Sequence, residues 1–186
     1  MIIVGLGNIG KEYENTRHNI GFMTIDVLAT RLGVRFDKKE CRATTAVAYK
    51  GGQKIVLAKP ETYMNLSGNA VKELMCKYKE EPQNIVIIYD DIDMELAKVR
   101  ARVEGSGGTH NGMKNVVECL KTKAIPRIRV GIGRPTNGMD LADYVLGHFS
   151  KDDRALLEPE FDNIATALIR YIGDGDFAEL QRTCNH

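Results

Sequence analysis

The sequence predicts an α/β fold: a single domain over residues 1–186, with a mixed central sheet flanked by helices. Three observations carry this. Short β-branched runs alternate with segments of helical spacing, the pattern of strands and helices in one α/β unit. Two strand-like runs flank Gly51-Gly52, which calls for an antiparallel hairpin beside parallel strands. No internal repeat or linker divides the chain, and its length suits one domain.

Taken in order, Ile2–Leu6 is an apolar run ending in glycines and reads as a buried strand. Polar residues 11–19 read as a loop. Ile20, Phe22, Met23, Ile25, Val27, Leu28 and Leu32 have helical spacing, and Gly33 stops that helix. Thr44–Tyr49 and Lys54–Ala58 form the hairpin. Ala70–Tyr78 is helical, with Asn65 or Ser67 as N-cap candidates. Ile85–Tyr89 is a continuous β-branched run, as a central strand requires. Lys98–Val103 alternates basic with small or apolar residues, as in a half-exposed strand. A glycine-rich loop, Gly105–Gly108, precedes a helix from about Gly112 to Lys121. Ile128–Ile132 is a strand, 151–172 is mainly helical, and a short helix covers Phe177–Arg182.

Composition bounds the class. Hydrophobic residues are 43% and charged residues 27%, which is globular and argues against disorder. No run approaches the roughly 18 apolar residues of a membrane helix. The start, Met1-Ile2-Ile3-Val4-Gly5, has no basic leader region and reads as a strand rather than a signal peptide. Cys41, Cys76, Cys119 and Cys184 are far apart with no CxxC spacing, so free thiols are expected.

The net charge of +1 hides an asymmetry. Between Lys98 and Arg134 lie nine basic residues and two acids, a local charge of +7. From Pro135 to His186 there are four basic residues and ten acids, or −6. Such a segment can form a phosphate-binding face, or can be scattered solvated charge.

Gly5-Leu6-Gly7-Asn8-Ile9-Gly10 matches the dinucleotide-binding pattern G-x-G-x-x-G. That motif works only if a helix opens at the glycines and points its N-terminus at the pyrophosphate. Here Lys11 to Arg17 lack apolar helical spacing, and the acidic residue expected about 20 positions on is misplaced: Asp37 lies 27 beyond Gly10. A dinucleotide enzyme through Gly5, Gly7 and Gly10 is therefore the weaker alternative. The glycines read as a tight turn that presents Asn8.

Several polar segments fall where α/β proteins place ligands, beyond strand ends or in loops. They are Asn8, Tyr13 to Asn19, Tyr63-Met64-Asn65, Asp90-Asp91-Ile92-Asp93 and His110-Asn111. Singly, each has a plain explanation: a helix cap for Asn65 or His18, a turn residue for Asp90, a surface histidine for His110. Together they suit ester hydrolysis. Histidine takes a proton from water near neutral pH. A carboxylate on its other nitrogen fixes the tautomer. Asparagine amides donate to a carbonyl oxygen as it gains charge. No serine sits in a G-x-S-x-G elbow. The four histidines show no metal-ligand spacing, so neither a covalent nucleophile nor a metal is expected.

The segments Val4–Asn8, Tyr13–Gly21, Lys59–Gly68, Tyr89–Asp93, His110–Gly112 and Arg127–Pro135 resemble bacterial peptidyl-tRNA hydrolase, in the expected order and as far as about Leu146. The resemblance implies cleavage of the ester between peptide and tRNA by a monomeric cytoplasmic enzyme that needs no cofactor. It places the general base on His18, its orienting carboxylate on Asp90, and discrimination of blocked from unblocked aminoacyl-tRNA on Asn8. Tyr13, Tyr63, Asn65 and Asn111 fall on substrate-contacting positions. Arg100, Arg102 and Arg129 fall on positions that hold acceptor-stem phosphates. Two residues depart from the family pattern: Ile9 stands where proline is frequent, and Thr109 where glycine commonly precedes the histidine. A noncatalytic RNA-binding module remains the other alternative.

Overall fold

A computed structural model describes residues 1–136 and 138–185. Its centre is a seven-stranded mixed sheet in the order β2-β3-β4-β1-β5-β7-β6. The strands are β1 (Ile2–Gly5), β2 (Lys38–Glu40), β3 (Ala43–Lys50), β4 (Gln53–Pro60), β5 (Ile85–Asp91), β6 (Val99–Arg102) and β7 (Arg127–Gly131). The apolar runs of β1 and β5 lie side by side and parallel at the middle of the sheet, buried on both faces. The hairpin pairs β3 with β4 around Gly51-Gly52, and both edge strands are antiparallel to their neighbours.

The helices are α1 (Ile20–Arg31), α2 (Ser67–Tyr78), α3 (Asn111–Leu120), α4 (Leu141–Leu146), α5 (Lys151–Asp174) and α6 (Phe177–Cys184). One core joins Ile20, Ile25 and Leu28 of α1 to Leu168 of α5, Leu180 of α6 and sheet residues such as Ile3 and Ile88. A second joins Val71 and Leu74 of α2 to Val116 of α3 and the opposite sheet residues, including Ile2 and Ile87. Each strand thus splits its apolar residues between two layers, as the two-residue side-chain period dictates.

The close seat of α1 on the sheet positions the site. A Cβ on Gly21 would stand 2.4 Å from the Ile88 carbonyl oxygen and 2.5 Å from the Leu6 nitrogen. One on Gly5 would stand 2.3 Å from the Gly21 oxygen. Two residues without side chains let the first turn of α1 rest on the backbones of β1 and β5. The preceding 3-10 turn, Arg17–Asn19, is thereby held over the C-terminal ends of those strands.

The structure departs from the sequence expectation in several places. Neither Asn65 nor Ser67 caps α2. Its N-cap is Leu66 with no side-chain bond, because a 3-10 turn (Met64–Leu66) runs straight into the helix. The hydroxyl of Ser67 instead donates to the Met64 carbonyl at 2.8 Å. Residues 11–19 contain two 3-10 turns rather than plain loop. Strand β2 is too short and charged to show periodicity. It is held by the buried Glu40 carboxylate, which accepts from Thr45 Oγ1 at 2.8 Å and from Lys38, Lys77 and Tyr78. Burial alone would raise the Glu40 pKa, but these donors bring it down to about 2. Helix α4 has only six residues, none of them buried, and is too short to show a helical period in the sequence. At the far edge, side-chain amides pair with β6: Asn185 Oδ1 accepts from the Ala101 N–H at 2.7 Å, and Gln181 Nε2 donates to the Ala101 oxygen at 3.2 Å.

Gly21→Ala is expected to cost at least the roughly 1–3 kcal/mol typical of an overpacked core. The methyl would meet rigid backbone rather than a movable side chain. Urea denaturation should show a lower midpoint with an unchanged slope.

Candidate active site

Asp90, near the C-terminal end of β5, is a buried carboxylate. Two imidazoles satisfy it. His18, in the turn before α1, sets Nδ1 2.9 Å and 3.0 Å from the two Asp90 oxygens. His110 sets Nε2 2.9 Å from Oδ1. The two rings lie 4.8 Å apart, and the Tyr89 ring packs tilted against His110 at the same separation.

Hydrogen bonding gives the two histidines different jobs. Met113 N–H donates to His110 Nδ1 at 3.1 Å, at the N-cap of α3. That nitrogen must offer a lone pair, so Nε2 carries the hydrogen that goes to Asp90. Both nitrogens of His110 are committed. His18 commits only Nδ1, and Nε2 makes no hydrogen bond among the described residues. His110 is buried and is not the surface histidine its sequence context suggested.

The electrostatics follow. Burial disfavours the charged His18 ring, but the adjacent Asp90 carboxylate more than offsets this, so the His18 pKa is raised above 6.5. Burial would likewise raise the pKa of Asp90. His110 and His18 outweigh it and hold the carboxyl well below the usual range. His18, Asp90 and His110 are also a possible metal-ligand set, their ligand atoms lying within 4.8 Å of one another. The hydrogen-bond pattern does not suit a metal. Both nitrogens that face Asp90 donate, and the two lone pairs point away from it.

Asn8 is fixed by its neighbours. Its N–H donates to Asn19 Oδ1 at 2.8 Å and its carbonyl accepts from Asn19 Nδ2 at 2.9 Å. Asn8 Oδ1 accepts from Met64 N–H at 3.1 Å. The side-chain oxygen is therefore spent, and the NH2 group is left to donate. The chain after Gly10 enters a 3-10 turn, Lys11–Tyr13, and no helix opens on the glycines as dinucleotide binding would require.

A cleft of about 770 Å³ connects these groups. Its lining includes Asn8, His18, Asn65, Asp90, Arg102, Thr109, Asn111 and Arg129, and one wall is Leu141, Ala142, Val145 and Leu146 of α4. Tyr13, Tyr63 and Arg100 lie outside the lining. Tyr63 is 73% exposed beside Met64, and Arg100 is exposed on β6. Opposite pairing of Arg100 with Arg129 and of Arg102 with Arg127 puts all four arginines on one sheet face. They are not equivalent. Arg127 is buried and spends its guanidinium on the carbonyls of Ile125, Ser106 and Lys123. Arg129 pairs with Asp91 at 2.9 Å, and its buried Nε has no hydrogen-bond partner among the described residues. Arg100 and Arg102 form no ion pair among the described residues.

The family model described as peptidyl-tRNA hydrolase matches residues 2–186. The chain belongs to the peptidyl-tRNA hydrolase family. The peptidyl-tRNA hydrolase of Alkaliphilus metalliredigens is 49% identical over 94% of both chains. That of Chloroflexus aurantiacus is 49% identical over 97% of both. The crystal structure of the Acinetobacter baumannii peptidyl-tRNA hydrolase superposes with a TM-score of 0.93 at 30% identity, covering 99% of this chain and 93% of that one.

Within this family member, sequence reasoning missed three supports of the site. Asn19 clamps Asn8, His110 shares Asp90, and Arg127 holds the glycine-rich loop. Asn19 lay inside the quoted motif beside His18, where a short amide can replace backbone pairing past a strand end. The roles of His110 and Arg127 depend on contacts between residues about 20 apart and carry no local signal.

Asp90→Asn keeps the shape but removes the charge. With burial then unopposed, the His18 ring should titrate below 6.5 instead of above it, as read by histidine NMR across pH.

Proposed function

We propose that this protein hydrolyses the ester joining a peptide, or an N-blocked aminoacyl group, to tRNA, with His18 as the general base. The observation that carries this reading is the unshared Nε2 of His18 in a cleft where Nδ1 is held by a buried carboxylate. Family membership supplies the substrate class.

In this mechanism a water gives its proton to His18 Nε2 and attacks the ester carbonyl carbon. Asp90 stabilises the imidazolium that forms. The NH2 of Asn8, oriented by Met64, donates to the carbonyl oxygen as it gains charge, and Asn65 and Asn111 line the same cleft. The intermediate collapses with cleavage of the bond to the ribose oxygen. That oxygen takes the proton back from His18, leaving a carboxylic acid and free tRNA. Because the base must be neutral and its pKa is raised, the rate increases with pH through a midpoint above 6.5.

Arg100, Arg102 and Arg129 hold acceptor-stem phosphates, and Tyr13 and Tyr63 contact the substrate outside the cleft. The same reading makes the protein a cytoplasmic monomer, one domain over residues 1–186, that works without a cofactor. No described helix is long and apolar enough to cross a membrane.

His18→Ala should slow cleavage of N-acetyl-aminoacyl-tRNA by at least the roughly 10²- to 10⁴-fold that general-base catalysis contributes. Binding of uncleaved substrate should persist. Turnover near the wild-type rate would remove His18 from the mechanism. Arg102→Ala should lower the salt dependence of tRNA binding by about one unit of slope, since a lost phosphate contact releases one fewer counterion. Arg129→Ala should change it less, because Asp91 already neutralises part of its charge.

A further inference from the structure

Arg17 precedes His18 in the same turn, yet the chemistry above gives it no task. Its side chain does not line the cleft and runs behind it. The guanidinium carbon lies 4.3 Å from the centre of the Tyr144 ring and 5.5 Å from that of Phe149. Nη1 donates to the Tyr144 carbonyl at 3.4 Å, and Nη2 lies 3.8 Å from Asp153. Its backbone N–H donates to the Gly147 oxygen at 3.0 Å, and Thr16 forms a bridge with His148. The segment that follows α4 is thus paired directly with the turn that carries His18.

Helix α4 needs such a tie. It supplies the apolar wall of the cleft, but none of its residues is buried, and Leu141 and Leu146 are exposed. Only Tyr144 and Val145 reach the core, half-buried. The Tyr144 hydroxyl donates to the Ile132 oxygen at 2.6 Å, which holds one end of that ring, and Arg17 covers its face. A stacked, forked guanidinium suits this role better than a lysine, because it serves ring, carbonyl and carboxylate together.

We propose that Arg17 is a positioning residue that fixes the α4 wall at its working distance from His18, so that the acyl part of the substrate is gripped while the ester meets the base. This rests on the reading of the cleft as the site of ester cleavage. The acyl group, being neither phosphate nor base, is the part of the substrate that an apolar wall would hold.

The test combines kinetics with hydrogen exchange on Arg17→Ala, Tyr144→Ala, the double variant and Arg17→Lys. In Arg17→Ala the KM for N-acetyl-aminoacyl-tRNA should rise about tenfold, the range that loss of a partly desolvated cation–π contact allows. Inhibition by deacylated tRNA and the pH–rate midpoint should not change, because neither the arginines of β6 nor Asp90 is touched. Amides of residues 141–146 should exchange faster while those of β1 and β5 do not. Tyr144→Ala should give the same phenotype. The double variant should be no worse than the poorer single one, since both cut one link. Arg17→Lys should recover part of the loss, and with Tyr144→Ala it carries the test if Arg17→Ala does not fold. Additive losses, an unchanged KM, a shifted pH midpoint, or weakened deacylated tRNA would each overturn the proposal. Failure of the wild-type protein to cleave N-acetyl-aminoacyl-tRNA would overturn the functional reading instead, and the exchange of α4 would still report on the tie.

Discussion

The arrangement of the site depends on one buried negative charge. A carboxylate placed at the end of a central strand, away from water, costs several kcal/mol unless it is paired and fully hydrogen-bonded. Asp90 meets that demand with two imidazole N–H groups from different parts of the chain. One must come from the turn before α1, so α1 has to sit low on the sheet, and the contact between Gly5 and Gly21 permits this. The other must come from the start of α3, so the glycine-rich loop before it has to follow one path. Arg127 holds that path through the Ser106 carbonyl. Pairing with this one carboxylate also divides the histidines' roles, leaving a single ring nitrogen open to the cleft.

The sequence made the two central strands legible because burial on both faces writes a continuous apolar run, as in Ile85–Ile88. Helix α1 was legible from its spacing, α3 from its place after the glycine-rich loop, and His18, Asp90 and Asn8 from a motif set that the structure brings around one cleft. What stayed hidden was whatever rests on polar contacts between distant residues. Strand β2 is anchored by Glu40 reaching Lys77 and Tyr78, more than 35 positions away. Helix α4 is anchored from Arg17, 127 positions away. A hydrophobic pattern records how much of an element faces the core. These two barely face it.

The basic segment shows how far a charge count reaches. Nine cations between Lys98 and Arg134 suggested a phosphate face. The fold gathers four of its arginines on one side of β6 and β7. It then consumes one as an internal brace and pairs another with Asp91. Arg134 joins Asp93, an exposed pair of little energetic weight. Of these four arginines only Arg100 and Arg102 stay exposed and without an ion pair among the described residues, a smaller positive footprint than the formal +7 implies.

The amides of Gln181 and Asn185 against β6 have a consequence for the protein at high concentration. An edge strand with free N–H and C=O groups is a template on which another chain can add a strand. At Ala101 both outward-facing groups are already answered, by side chains that cannot extend the ladder further. On either side of it, Arg100 and Arg102 set like charges against any second copy approaching along the same edge. The last helix thus acts as a terminator for sheet growth at this edge.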